Sequence, residues 1–119
     1  MKAVMISNYG DTDVLKLSDT GVKPSPEAGQ VLVKIHAAGV NFIDIYMRRG
    51  TFPVKLPFIP GLEASGVVEA IGEKVTGLRP GDRVAYTGHL GSYSEYAVIN
   101  AGKLIQLPPD FSFEQGAAF

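Results

Sequence analysis

The chain has 119 residues, enough for one domain with a real core and too few for two. Hydrophobic residues make up 45% and charged residues 19%; eleven basic against twelve acidic residues leave a net charge of -1 with no basic run longer than two, so no nucleic-acid partner and no anionic membrane surface is expected. Without cysteine there is no disulfide, thiolate metal site or cysteine nucleophile, and no apolar stretch approaches signal-peptide or membrane-spanning length, which makes a cytoplasmic protein the expectation.

In chain order, "KAVMIS" at 2–7 and "LKLSDT" at 15–20 read as strands separated by the turn-rich "NYGDTD". "QVLVKIHAAGV" at 30–40 alternates, with Val31, Val33, Ile35 and Ala37 on one face and Lys34 and His36 on the other. "GVNFIDIYMRRG" at 39–50 then reads as a short helix. Asn41 stands at the N-cap with Asp44 three residues on, Arg48 and Arg49 occupy the last turn, and Gly50 stops it. Phe42, Ile43, Ile45, Tyr46 and Met47 leave almost no polar side, and a helix apolar all round is covered on more than one side.

Four more strands are predicted at 64–72, 82–88, 92–99 and 104–108. In "RPGD" at 79–82, Pro-Gly has the order of a type II turn. On the strand at 92–99, Tyr93 and Tyr96 alternate around Glu95 and read as cross-strand packing. Finally, Ser112 and Gln115 have capping-box spacing and open a helix that runs to Phe119. Seven short strands with closely spaced Gly and Pro turns predict a mainly β fold, a small, partly closed antiparallel barrel with short helices.

Three stretches together resemble one family. "AAGVNFIDIYMRRG" at 37–50, "PFIPGLEASGVVEAIGEKVTGLRPGDRV" at 57–84 and "GSYSEYAVI" at 91–99 are similar to the zinc-independent, zeta-crystallin-like quinone oxidoreductases of the medium-chain dehydrogenase/reductase superfamily. The resemblance implies a two-part enzyme: a GroES-like barrel and a Rossmann domain that binds NADPH, with the active site in the cleft between them. It places residues 1–111 in the GroES-like part and makes residues 112–119 the start of a helix leading toward the nucleotide-binding part. These 119 residues hold no strand followed by Gly-x-Gly-x-x-Gly and a helix, the device that cradles dinucleotide phosphates. The chain is therefore expected to stop partway into a larger protein and to be inactive alone, with the missing domain and its cofactor covering the 39–50 helix.

The resemblance assigns the cofactor contact to Asn41, Phe42, Ile43, Asp44, Ile45 and Tyr46. An Asn amide both donates and accepts, and a phenol can lie against a nicotinamide with its hydroxyl near water. In zinc-dependent relatives a histidine follows the glycine of the Gly-x-Glu motif; here Leu62 stands there, between Gly61 and Glu63, and leucine cannot ligate a metal. His36 and His89 are expected at the surface, and Glu63 as a turn or network residue near the cleft. A quinone spreads incoming charge over its π-system and needs no Lewis acid. NADPH:quinone oxidoreduction is thus the expected activity of the parent protein, with a quinone or enone as substrate. An enone or enoyl-thioester reductase and a free-standing GroES-like binding module are the alternatives.

Overall fold

The computed structural model describes residues 1–118. Its elements are β1 (Lys2–Met5), β2 (Lys16–Asp19), β3 (Gln30–Ala38), α1 (Phe42–Arg49), β4 (Glu63–Ile71), β5 (Arg83–Thr87), β6 (Tyr96–Asn100), β7 (Ile105–Gln106) and α2 (Phe113–Ala117), with single 3-10 turns at 12–14 and 101–103. The fold is mainly β with short helices. Five strands form one antiparallel sheet in the order β6-β3-β4-β5-β7, and β1 and β2 form a separate hairpin. The five-stranded sheet remains open among the described residues.

β3 and β4 lie at its centre, each paired on both sides. The alternation in β3 puts Val31 and Val33 fully inside. With Ala64, Val68, Val84, Tyr86, Ala97 and Ile99 they form the core. Each fully buried valine or isoleucine there contributes about 1.5–3 kcal/mol. Leu32, on the opposite side of β3, is also buried, so this strand is covered on both faces where it begins. Gly66 allows the central pair to close. A Cβ on it would stand 2.0 Å from the Lys34 carbonyl oxygen across the ladder.

The strand predicted at 92–99 begins only at Tyr96. Residues 93–95 turn toward β1, with Val4 N–H donating to the Tyr93 carbonyl at 2.8 Å and Glu95 N–H to that of Lys2 at 3.0 Å, while the Glu95 carbonyl still accepts from Ile35 N–H of β3 at 2.9 Å. A single bridge between Ala3 and Ser94 thereby ties the hairpin to the sheet, and a second joins Ile6 to Phe58. The "RPGD" turn closes as its sequence predicts, with Asp82 N–H on the Arg79 carbonyl at 3.1 Å and Gly81 at φ 97°.

α2 has the predicted reciprocal cap. Gln115 N–H donates to Ser112 Oγ at 3.0 Å, and Ser112 N–H to Gln115 Oε1 at 2.8 Å. Its Phe113 ring lies between His36, stacked at 4.3 Å, and the Arg83 guanidinium, 4.4 Å from the ring centre. Ser65 Oγ donates to the Phe113 carbonyl, and Arg83 reaches the Phe111 carbonyl at 2.6 Å. The segment at 112–118 is thus fastened to the outside of the sheet. Phe119, the last residue of the predicted 112–119 segment, lies outside the described residues.

Candidate functional site

α1 begins and ends where the sequence places it. Asn41 is the extended residue before the first turn, and Gly50, at φ 84°, closes the last one in the left-handed conformation. Its orientation reverses the expected pattern. Asp44 and Arg48, one turn apart, point inward and are 5% and 8% exposed, whereas Phe42 is 78% and Tyr46 43% exposed. Expected as cations opposing the helix dipole, Arg48 and Arg49 separate: Arg48 is buried and Arg49 exposed.

The inward charges are hydrogen-bonded, as buried charges must be. Asp44 Oδ2 accepts from the Asn41 backbone N–H at 3.0 Å and from the Tyr93 hydroxyl at 2.6 Å. The other carboxylate oxygen, Oδ1, is buried with no hydrogen-bond partner among the described residues. Arg48 Nε donates to the Gly10 carbonyl at 3.3 Å, and the guanidinium stands 3.6 Å from Asp11 Oδ1. Burial, and then the bond to Asp44, hold the Tyr93 phenol well above its usual pKa.

Asn41 keeps its N-cap position but sends its side chain elsewhere. Nδ2 donates to Glu63 Oε1 at 2.9 Å, while the Asp44 N–H is taken by the Asn41 backbone carbonyl at 3.0 Å. Glu63 opens β4, so this bond joins the first turn of α1 to the centre of the sheet. Two glycines make room for these partners. A Cβ on Gly39 would meet Glu63 Oε1 at 2.2 Å, and one on Gly61, at φ 98°, would meet the Tyr93 ring at 2.6 Å.

The six residues expected at a cofactor thus fall into distinct positions. Asn41, Phe42 and Ile45 line, with Val40, a surface cavity of about 250 Å³. Tyr46 stands apart from that lining, beside Phe52 with ring centres 6.1 Å apart. Ile43 is half-buried away from it, and Asp44 is turned into the protein. Tyr93, read from the sequence as cross-strand packing, is a hydrogen-bond partner of α1. Alternation on a presumed strand concealed it, because its loop departs from the sheet. A larger cavity of about 510 Å³ shares Val40 and runs along Ile35–Ala38, against Tyr93 and the β1–β2 hairpin.

Of the two histidines, His36 is exposed and engaged with Phe113, while His89 is half-buried with its ring edge-on to Tyr86 at 6.3 Å. Burial and then the nearby Lys103 hold the His89 imidazole below its usual pKa. Among the described residues no three His, Cys, Asp or Glu side chains are grouped to hold a metal ion, and no helix is long and apolar enough to cross a membrane.

Residues 27–109 match the family described as the alcohol dehydrogenase GroES-like domain. Over 121 residues the chain is 43% identical to the quinone oxidoreductase of Lama guanicoe, covering 99% of this chain and 37% of that protein. The crystal structure of the human synaptic vesicle membrane protein VAT-1 homolog-like protein superposes with a TM-score of 0.97 at 36% identity, covering 100% of this chain and 39% of that one. The crystal structure of Escherichia coli quinone oxidoreductase complexed with NADPH superposes with a TM-score of 0.93 at 37% identity, covering 99% of this chain and 36% of that one. The chain spans about 37% of the length of the curated quinone oxidoreductase it matches.

Proposed function

From the premise that the chain belongs to the alcohol dehydrogenase GroES-like domain family, we propose that it is the substrate-side part of an NADPH-dependent, zinc-independent quinone oxidoreductase. The observation that carries the reading is the first turn of α1. A polar Asn41 and an outward Phe42 border one cavity on a helix whose Asp44 and Arg48 point the other way. That pairing fits the nicotinamide end of a dinucleotide, a flat ring bearing an amide and a ribose with hydroxyls. Asn41 would hold polar groups of the cofactor, while Phe42 and Ile45 offer the ring an apolar wall. The names of similar proteins support the same cofactor and substrate class.

When bound, NADPH supplies the hydride, and the acceptor is an electron-poor quinone. The chain's own contribution is position and shelter. Exposed Phe42, Tyr46 and Phe52 exclude water once a second surface meets them, and Asn41 orients the cofactor from its anchored position on Glu63. Leu62 offers no metal ligand beside Glu63, which supports a reaction whose charge is spread by the acceptor rather than held by zinc. In this reading residues 1–111 form the catalytic part and residues 112–119 begin the passage to a nucleotide-binding domain.

Reading the frame past the Phe119 codon and assaying the encoded polypeptide tests this directly. A Gly-rich strand-turn-helix unit followed by quinone-dependent NADPH oxidation is expected. A stop codon directly after Phe119, or a longer polypeptide that leaves NADPH untouched in the presence of quinone, overturns it.

A further inference from the structure

Apolar burial is not all that orients α1: Ile43, Ile45 and Met47 are half-buried, but the residues it buries fully are Asp44 and Arg48. Hydrogen bonds from distant segments hold these in place. Two of them meet the turn that borders the Val40–Ile45 cavity: Tyr93 on Asp44 and Glu63 on Asn41. Neither Glu63 nor Tyr93 lines that cavity. Each lies where only a glycine leaves space, Glu63 against Gly39 and Tyr93 against Gly61. We infer that Glu63 and Tyr93 are positioning residues, a two-point clamp that sets Asn41 and the first turn of α1 for the ligand of the adjoining cavity.

The chemistry of the clamp is specific. An ionised carboxylate only accepts, so Glu63 fixes which end of the Asn41 amide faces it and leaves one Nδ2 hydrogen and the carbonyl for other partners. Tyr93 donates to the same carboxylate oxygen that accepts the Asn41 backbone N–H, so the phenol steadies Asn41 through Asp44. The two anchors thus reach one residue by independent routes, one through its side chain and one through its backbone. The inference rests on the cofactor reading for the identity of the ligand, and on the geometry alone for the clamp.

NMR spectra of the 119-residue chain test both parts. Glu63→Ala should move the Asn41 side-chain amide protons toward the values of a free asparagine, and Glu63→Gln, which keeps an acceptor oxygen, should restore them. Tyr93→Phe keeps the ring on Gly61 and should move the Asn41 backbone amide while the signals of β3–β5 stay in place. In titrations with reduced nicotinamide mononucleotide, Glu63→Ala and Tyr93→Phe should bind about three- to tenfold more weakly, the range of one lost hydrogen bond, with Glu63→Gln near wild type. Asn41 signals unchanged by Glu63→Ala, or Glu63→Ala binding as tightly as wild type, overturns the clamp. Should Tyr93→Phe unfold the chain, the Glu63→Ala and Glu63→Gln pair carries the test. If the mononucleotide shifts no α1 signal even in the wild-type chain, the cofactor reading fails at this turn, and the Asn41 signals still decide the clamp.

Discussion

The hydroxyl of Tyr93 stands 2.6 Å from Oδ2 of Asp44, joining the loop before β6 to α1 across 49 residues of chain. Asp44 is buried and Tyr93 half-buried, so each depends on the other. Replacing Asp44 by alanine strips the partner from a half-buried phenol and from the Asn41 N–H. The expected cost is roughly 1–3 kcal/mol, read as a lower midpoint in urea unfolding. An unchanged midpoint would show that the pair adds nothing to stability.

Alkaline pH should act on the same pair. The folded chain holds the Tyr93 phenol above the ordinary value of 10.0, first through burial and then through Asp44, and burial alone does so for Tyr86. A raised phenol pKa means that the folded state keeps its proton where the unfolded state loses it. The stabilisation is therefore complete below about pH 10 and declines as pH rises further. Absorbance at the tyrosinate band should show Tyr86 and Tyr93 ionising only as the chain unfolds. Smooth ionisation of all five tyrosines in a chain that stays folded would contradict this.

Phe113 should matter more than its place on a five-residue helix suggests. Its ring meets His36 on one side and the Arg83 guanidinium on the other. Phe113→Ala removes a stacked pair and a cation–π contact together, a loss of roughly 1–2.5 kcal/mol. Amide exchange at Gly116 should rise with it, because that N–H bonds within α2 to the Ser112 carbonyl. Exchange at the wild-type rate would mean that α2 stays docked without the ring.

The contact of Gly66 with β3 makes a sharper case. Gly66→Ala places a methyl group 2.0 Å from backbone at Lys34, where neither partner can yield without breaking the central ladder. A loss of about 3 kcal/mol or more is expected, visible as a large drop in thermal midpoint. Gly102, with open space around it, is the control, and Gly102→Ala should change stability by no more than about 0.5 kcal/mol.

Local signals in the sequence carried most of the fold. Alternation located β3, Asn41 and Gly50 bracketed α1, Pro80-Gly81 placed its turn, and Ser112 with Gln115 capped α2. Each of these depends on residues within a few positions of one another. The partners of α1 do not. Asp44 read as a first-turn acid and Arg48 as a last-turn cation, because nothing nearby shows that Tyr93 and Gly10 receive them. The count of apolar residues around α1 was right, but only coordinates show which of them face outward. Tyr93 was obscured for a related reason: period-two alternation continues through 92–95, while the backbone there turns away to pair with β1.

The inward charges of α1 also bear on when it forms. Chain collapse follows apolar burial, and this helix brings little of that to the core. Its anchors at Gly10, Glu63 and Tyr93 come from three separated segments, which must already be near their native places before Arg48, Asn41 and Asp44 find partners. α1 should therefore dock after the rate-limiting barrier is crossed. Substitutions in it would hasten unfolding while leaving the refolding rate almost unchanged, and the segment that borders the ligand cavity would be the last to arrive and the first to leave.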